Sequence, residues 1–235
     1  MESIINSEDR KKLLEEFLLK ANLKQDIYEN TVNAFKMLKT SSGTFEKNYK
    51  EQLYSSNPRI SVEINEKGDF EFTLKFAGDI LIFIMHTNIF EFPRAHDVHK
   101  LSYLKENENR SYCGIISIYN FLADSFNYNR INDSGYLIGR IFINVDNHYY
   151  LEGKREIGLL FNNFADNVFN QQISENILNS AIKYTIEFDL LTPAYDVMKE
   201  ITVFDIQQLE MQSSTIKTAK RLGFRFQADS GNPKG

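Results

Sequence analysis

The chain has 235 residues, of which 42% are hydrophobic and 25% charged, values that are ordinary for a folded globular protein. Its net charge of −5 disfavours nonspecific binding to nucleic-acid phosphates or to acidic membranes. The single cysteine excludes an intramolecular disulfide and predicts a reducing compartment. Since no apolar leader follows Met1 and no apolar run is long enough for a bilayer, we expect a cytoplasmic protein of a bacterial type that does not bind membranes.

The N-terminal region has the periodicity of helices. Apolar residues recur at helical spacing in residues 13–21, and a second stripe follows in residues 28–38. The sequence Thr40-Ser41-Ser42-Gly43 interrupts this pattern, so we expect a break before a third short helix. Helical structure should end at Ser55–Pro58, because the residue before a proline resists the α conformation. The pattern predicts a helical subdomain of three helices.

Residues 60–85 have the alternation of an antiparallel β-meander. Apolar and polar residues alternate from Ile60 to Ile64 and from Phe70 to Phe76, so each strand should bury one face. Between these strands, Glu66–Asp69 includes Gly68 and is typical of a turn. The unbroken apolar run Ile80–Met85 predicts a strand that is covered on both faces.

Further strands and one long helix are predicted in the second half of the chain. Tyr112–Phe126 is densely apolar and fits either a strand or a buried helix. Tyr136–Val145 and His148–Glu152 are typical of a β-hairpin that turns at Asp146-Asn147. The segment Ser174–Leu190 has one apolar stripe, as in a helix that packs on a sheet. This order predicts an α+β fold with a mostly antiparallel sheet of six to eight strands.

Two more strands are expected at Ile157–Phe161 and Ile201–Ile206, and a last helix should end at Gly223. The basic residues of that helix suit its C-terminal half and could also contact an acidic partner or nucleic acid. The final residues, 227–235, are rich in Ser, Gly, Asn and Pro and are predicted to be disordered. The domain organisation predicted from these features is a helical subdomain (1–57), an α+β domain (58–226) and a tail.

Asp133, Glu152 and Lys154 have the spacing of a metal-dependent nuclease site. Asp133 precedes one strand of the predicted hairpin, and alternation along the other would put Glu152 and Lys154 on one face. Two carboxylates can hold Mg²⁺ while a lysine stabilises charge on an attacked phosphate. Over residues 133–154 the pattern resembles that of PD-(D/E)xK nucleases, although Asn132 stands where those have proline and Gly153 replaces their usual apolar middle residue. The resemblance implies Mg²⁺ as cofactor and nucleic acid as substrate; a solvated strand end explains the same residues.

Other side chains with chemical potential have simpler explanations. His96 and His99, with His86 upstream, are suitable metal ligands, but exposed loop histidines would give the same pattern. Cys113 lies among apolar neighbours and is predicted to be a buried, inert thiol rather than a nucleophile.

Three tyrosines are candidate binding residues: Tyr119, Tyr149 and Tyr150. Tyrosine combines apolar area with a hydrogen-bonding group, as binding surfaces require, and packing in the core explains these residues equally well.

No complete catalytic motif accompanies these candidates. The leading hypothesis is therefore a non-enzymatic cytosolic protein that binds a protein partner or a small ligand, without a cofactor, as one subunit of a multi-component bacterial system. The alternative is the Mg²⁺-dependent nuclease, the only hypothesis with a nucleic-acid partner. A homodimer joined through an edge strand of the sheet is a third possibility.

Overall fold

The computed structural model describes residues 7–131, 133–154, 157, 163–188, 192 and 194–204. The helices are α1 (Ser7–Ser56), α2 (Ser102–Glu106), α3 (Ala123–Asn127), α4 (Gln171–Ile186) and α5 (Tyr195–Met198). Two 3-10 turns, Asp97–Lys100 and Glu108–Ser111, flank α2. The strands are β1 (Val62–Glu66), β2 (Glu71–Phe76), β3 (Asp79–Met85), β4 (Phe90–Glu91), β5 (Tyr112–Leu122), β6 (Tyr136–Asn144) and β7 (Tyr149–Gly153).

The strands of the described residues form one seven-stranded sheet in the order β1-β2-β3-β5-β6-β7, with β4 paired to β5. Every pairing is antiparallel, which confirms the predicted α+β fold. The ambiguous segment Tyr112–Phe126 is a strand as far as Leu122, where β5 is central and pairs with both β3 and β6, and it is helical from Ala123 onwards.

In the C-terminal region one predicted strand is wrong where it is described, and the other predicted elements lie mostly outside the described residues. The strand expected at Ile201–Ile206 is wrong in its four described residues, 201–204, of which Val203 and Phe204 are helical and exposed. Ile157 is helical and buried, and the rest of the strand predicted there lies outside the described residues. The last helix and the tail 227–235 also lie outside them.

The N-terminal region is one continuous helix of 50 residues, so the prediction of three helices is wrong. The Thr-Ser-Ser-Gly sequence does not break α1, although the hydroxyl groups of Thr40 and Ser42 donate to carbonyls one turn earlier, a pattern that by itself slightly weakens a helix. Tertiary contacts hold the helix together at this point. The hydroxyls of Ser41 and Ser174 lie 2.8 Å apart, which joins α1 to α4. Ser41, Ser42 and Ser174 are buried where the two helices meet.

One face of the sheet is covered by α1 and α4. Phe72, Leu74 and Phe76 are buried there, which confirms the alternation predicted for β2. The same core cluster contains Phe35 and Leu38 of α1. Separate folding of residues 1–57 remains a prediction, but this shared core argues against it.

Helix α1 crosses the sheet in direct contact with β5. A Cβ atom on Gly114 would lie 2.0 Å from Oγ1 of Thr31, so only glycine fits beneath the helix. The amide of Asn30 donates to the carbonyls of Asn144 and Val145, which fixes α1 over the β6–β7 turn. The position of the helix therefore depends on one glycine and one asparagine.

We expect Gly114→Ala to lower the free energy of unfolding by about 1–3 kcal/mol, because the new methyl group must displace α1. The matched control is Gly139→Ala in β6, whose Cβ would meet its nearest atoms at 3.5 Å or more. That variant should be as stable as the parent or slightly more so, since glycine weakens a strand. The stability of both variants would be measured by urea denaturation. Equal losses for Gly114→Ala and Gly139→Ala would contradict the packing argument.

The other face of the sheet is covered in part by the segment between β4 and β5. Tyr103 of α2 donates to Asp146 at 3.0 Å and accepts from Asn144 at 2.9 Å, while Arg110 donates to Asp146 at 2.7 Å. Burial raises the pKa of Tyr103 to about 12, so its hydroxyl stays protonated and can donate. This network holds the segment against the β6–β7 turn.

Candidate protein-interaction surface

The N-terminal part of α1 projects beyond the body of the protein. Every residue from 8 to 20 is exposed, whereas burial begins at Ala21 and becomes complete at Ile27. We call residues 8–20 the overhang; at 1.5 Å per residue its length is about 20 Å. Lys20 lies 3.4 Å from the centroid of the Tyr112 ring, and this cation–π contact marks where α1 leaves the sheet.

The overhang carries large apolar side chains in water. Leu14 is 56% exposed and Phe17 65% exposed, and three more leucines are similarly exposed: Leu13, Leu18 and Leu19. Leu14, Phe17 and Ala21 follow the 3-4 spacing of a coiled-coil seam. We call these three residues the seam. Monomeric proteins rarely expose a contiguous apolar surface of this kind unless it binds something.

A groove continues the line of the seam towards the body. The seam spacing extends to Lys24 and Tyr28, which line the groove with Gln25 on the α1 side. Residues 87–90, which are part of the loop after β3 and the first residue of β4, form the opposite wall of this open groove, whose volume is about 580 Å³. Seam and groove therefore form one elongated surface, apolar on the overhang and more polar near the body.

The sequence predicts an apolar helical stripe in residues 13–21, and the structure leaves nearly all of that stripe exposed. Helical geometry explains only part of this difference: the buried residues Ile27, Thr31 and Leu38 lie on average about a quarter turn round the helix from the seam. Phe35 is also buried, and because it follows Phe17 by 18 residues, or five full turns, it points in the same direction as the seam. The two surfaces therefore overlap in direction and differ mainly in their position along α1, one over the sheet and the other beyond it.

The three residues of the predicted nuclease site have different surroundings. Ser125 donates to Asp133 at 2.7 Å, and Arg140 donates to Glu152 at 2.8 Å. Strand β7 ends at Gly153, so alternation does not carry Lys154 onto the face of Glu152. Lys154 instead lines a cavity of about 30 Å³, enough for one water molecule, beside α4.

Glu152 is held in a charged cluster on the sheet face opposite the helices. Beyond its pairing with Arg140, its second oxygen lies 3.8 Å from Nε2 of His96. Within the described part of the chain, no group of three or more His, Cys, Asp or Glu side chains could hold a metal ion. The nuclease assignment and its Mg²⁺ stay predictions, and metal binding there would require Glu152 to exchange its present partners.

The three candidate tyrosines also differ in their surroundings. Tyr149 is 0% exposed and packs edge-on against Phe169, so it is a core side chain. Tyr150 is half-buried against Phe92 and Phe142 on the opposite face, where burial raises its pKa. Tyr119 is half-buried on that same face, beside Ile82. A role in binding for any of them remains a prediction.

The four histidines and the cysteine have structural contacts. Nδ1 of His86 accepts from the backbone of Asn88, and Nδ1 of His96 accepts from Val98. The rings of His99 and His148 each contact a backbone carbonyl, that of Phe92 and Phe164 respectively. Burial raises the pKa of the Cys113 thiol well above its ordinary value, which keeps it protonated and unreactive.

Comparison with known proteins gives no further guide to function. No protein-family model, no curated protein and no solved structure matches the chain at a significant level. Among the described helices, none has a stretch long and apolar enough to cross a membrane, α1 included. Any assignment of function therefore rests on the geometry of the described residues, among which the overhang is a long exposed apolar surface.

Proposed function

We propose that the chain is a non-enzymatic interaction protein, a cytoplasmic subunit of a multi-component bacterial system, and that it binds protein through the overhang of α1. The observation that carries the proposal is the exposure of Leu14 and Phe17 on a helix that extends beyond the folded body. Burying one such side chain at an interface contributes about 1.5–3 kcal/mol. The buried Cys113 suits the reducing interior of a cell.

The overhang is suited to binding because it is already helical. An isolated helix of 13 residues is marginal in water, since nucleation costs several ordered residues for one hydrogen bond. Here the packed part of α1, from Ile27 onwards, supplies the nucleus from which the overhang continues. A partner therefore meets an ordered apolar surface, and less conformational entropy is lost on binding.

The charge pattern favours protein over lipid or nucleic acid as the ligand. The overhang carries four basic residues, Arg10, Lys11, Lys12 and Lys20, and four acidic ones: Glu8, Asp9, Glu15 and Glu16. A balanced charge gives no field that would attract phosphate groups. An apolar helix face with mixed charges around it is typical of helix-to-helix recognition.

The proposal predicts that a single charge in the seam abolishes partner binding. Leu14→Glu and the control Leu19→Glu introduce the same charge, and Leu19 is 72% exposed but lies away from the seam. Tagged parent protein would capture partners from a lysate of the native host, and each captured protein would be purified and rebound to all three forms. We expect binding to the parent and to Leu19→Glu, with at least a tenfold loss for Leu14→Glu.

Hydrogen exchange locates the contact independently. In the reconstituted complex, the backbone amides of residues 8–28 should exchange more slowly than in the free protein. Partners that bind both variants equally, or that protect other segments instead, would contradict the assignment of the overhang as the binding surface.

A further inference from the structure

We propose that the partner of the overhang is the overhang of a second copy of this chain, and that the two pair antiparallel into a homodimer. This inference rests on the proposed function, because it names the occupant of the same surface. The spacing of the seam is the first reason: Leu14, Phe17 and Ala21 repeat as in a coiled coil, and they continue backwards to Arg10 at the same interval.

Antiparallel pairing brings these residues into self-complementary layers. With Leu14 of one copy beside Phe17 of the second, Phe17 of the first lies beside Leu14 of the second. In the same register Arg10 lies beside Ala21, whose small side chain leaves room for the aliphatic stem of the arginine. Leu13 and Lys20 flank the seam on one side, and Lys11 and Leu18 flank it on the other. In the antiparallel pair each of these lysines lies beside a leucine of the other copy, so none of them faces a like charge across the seam.

Two charges at each end of the overhang also fit antiparallel pairing. Glu8 and Asp9 are its first residues, ahead of Arg10, Lys11 and Lys12, whereas Lys20 and Lys24 lie beside the body. In an antiparallel pair Glu8 and Asp9 of one copy come level with Lys24 and the groove of the other, and this contact of opposite charges forms twice. A parallel pair would place Glu8 beside Glu8 and Lys24 beside Lys24.

The shape of the protein gives a third reason. The antiparallel register pairs residues 8–23, which matches the exposed length of the helix before burial becomes complete at Ile27. The two bodies then lie at opposite ends of the pair. In a parallel arrangement both bodies would lie at the same end and compete for the space beside the groove.

Two or three layers of apolar contact make a small interface, so the dimer should form at micromolar rather than nanomolar concentration. Sedimentation of the purified full chain across a wide concentration range should show a monomer–dimer equilibrium. Because each substitution enters the interface twice, Leu14→Glu should weaken dimerisation by about 100-fold or more. Leu19→Glu should change it by no more than about threefold.

Pairs of introduced cysteines test whether the two overhangs pair antiparallel. Arg10→Cys and Ala21→Cys chains should form a disulfide when they are mixed and oxidised, but neither should do so alone. In the antiparallel register two copies of residue 10 are offset by about 16 Å along the helix axis, which is beyond the reach of a disulfide. The native Cys113 is buried and should not react. Disulfides in either variant alone would overturn the antiparallel arrangement.

The outcomes separate this inference from the function on which it rests. A protein that stays monomeric at all concentrations, or that dimerises equally in Leu14→Glu, overturns the second copy as occupant. If such a monomer still binds a different protein through the seam, the interaction function stands and only the partner changes. If it binds neither, both proposals fail.

Discussion

A chain that begins at Pro58 is expected not to fold. Without α1, the protein loses the buried side chains of Ile27, Phe35 and Leu38, the last two of which belong to the core cluster beneath α1 and α4. Three such side chains contribute about 5–9 kcal/mol at 1.5–3 kcal/mol each, which is comparable to the whole stability of about 5–15 kcal/mol for a domain. Circular dichroism and solubility of the truncated chain would measure the loss.

A shorter deletion is the matched control. A chain that begins at Leu19 lacks the exposed residues 8–18 together with the residues before them, and it keeps every residue of α1 that the structure describes as buried. Its melting temperature should lie within about 2 °C of that of the parent. If the chain from Pro58 stays soluble and folded, residues 1–57 are a separate subdomain after all, as the sequence alone predicts.

Replacing Phe72 with alanine should cost about 3–5 kcal/mol, the range for a fully buried phenylalanine. Its ring stacks on Phe83 with centroids 4.5 Å apart and contacts Phe35 of α1 at 5.2 Å. The substitution therefore opens a cavity where the helix meets the sheet. The change in the free energy of unfolding would be measured by urea denaturation.

Ile84→Ala is the comparison for this cavity. Ile84 belongs to the next strand but faces the other side of the sheet and is 38% exposed, so its loss should cost less than about 1.5 kcal/mol. A loss below about 1 kcal/mol for Phe72→Ala would show that the alternation of β2 does not describe the core.

The strands and their turns could be predicted from the sequence because they depend on neighbours along the chain. In β2 the alternation ending at Phe76 is visible in six residues, and Gly68 adopts the positive φ of 83° that its turn requires. Asn147, with φ of 58°, turns the β6–β7 hairpin in the same way. These local signals can be recognised without knowing which element packs on the sheet.

The candidate site was harder to predict, because exposure is not encoded in periodicity. Leu14 and Leu38 both belong to helical stripes of the same kind, yet one projects into solvent and the other is 0% exposed. Likewise the spacing of Glu152 and Lys154 is that of a strand, but β7 ends between them and their surroundings differ. Hydrophobic periodicity shows which face of a helix or strand is apolar, but it does not show whether another part of the protein covers that face.

By itself, then, the sequence determined the class of fold, the antiparallel hairpins and the buried face of the meander, because local alternation and turn residues suffice for these. Only the tertiary structure decided that α1 is continuous, since Ser41 finds its partners, Ser174 and Gln171, 130 or more residues away. It also decided where α1 leaves the sheet and which of its apolar residues remain in water. The reason is that long-range contacts set the burial of a helix, and no short stretch of sequence records them.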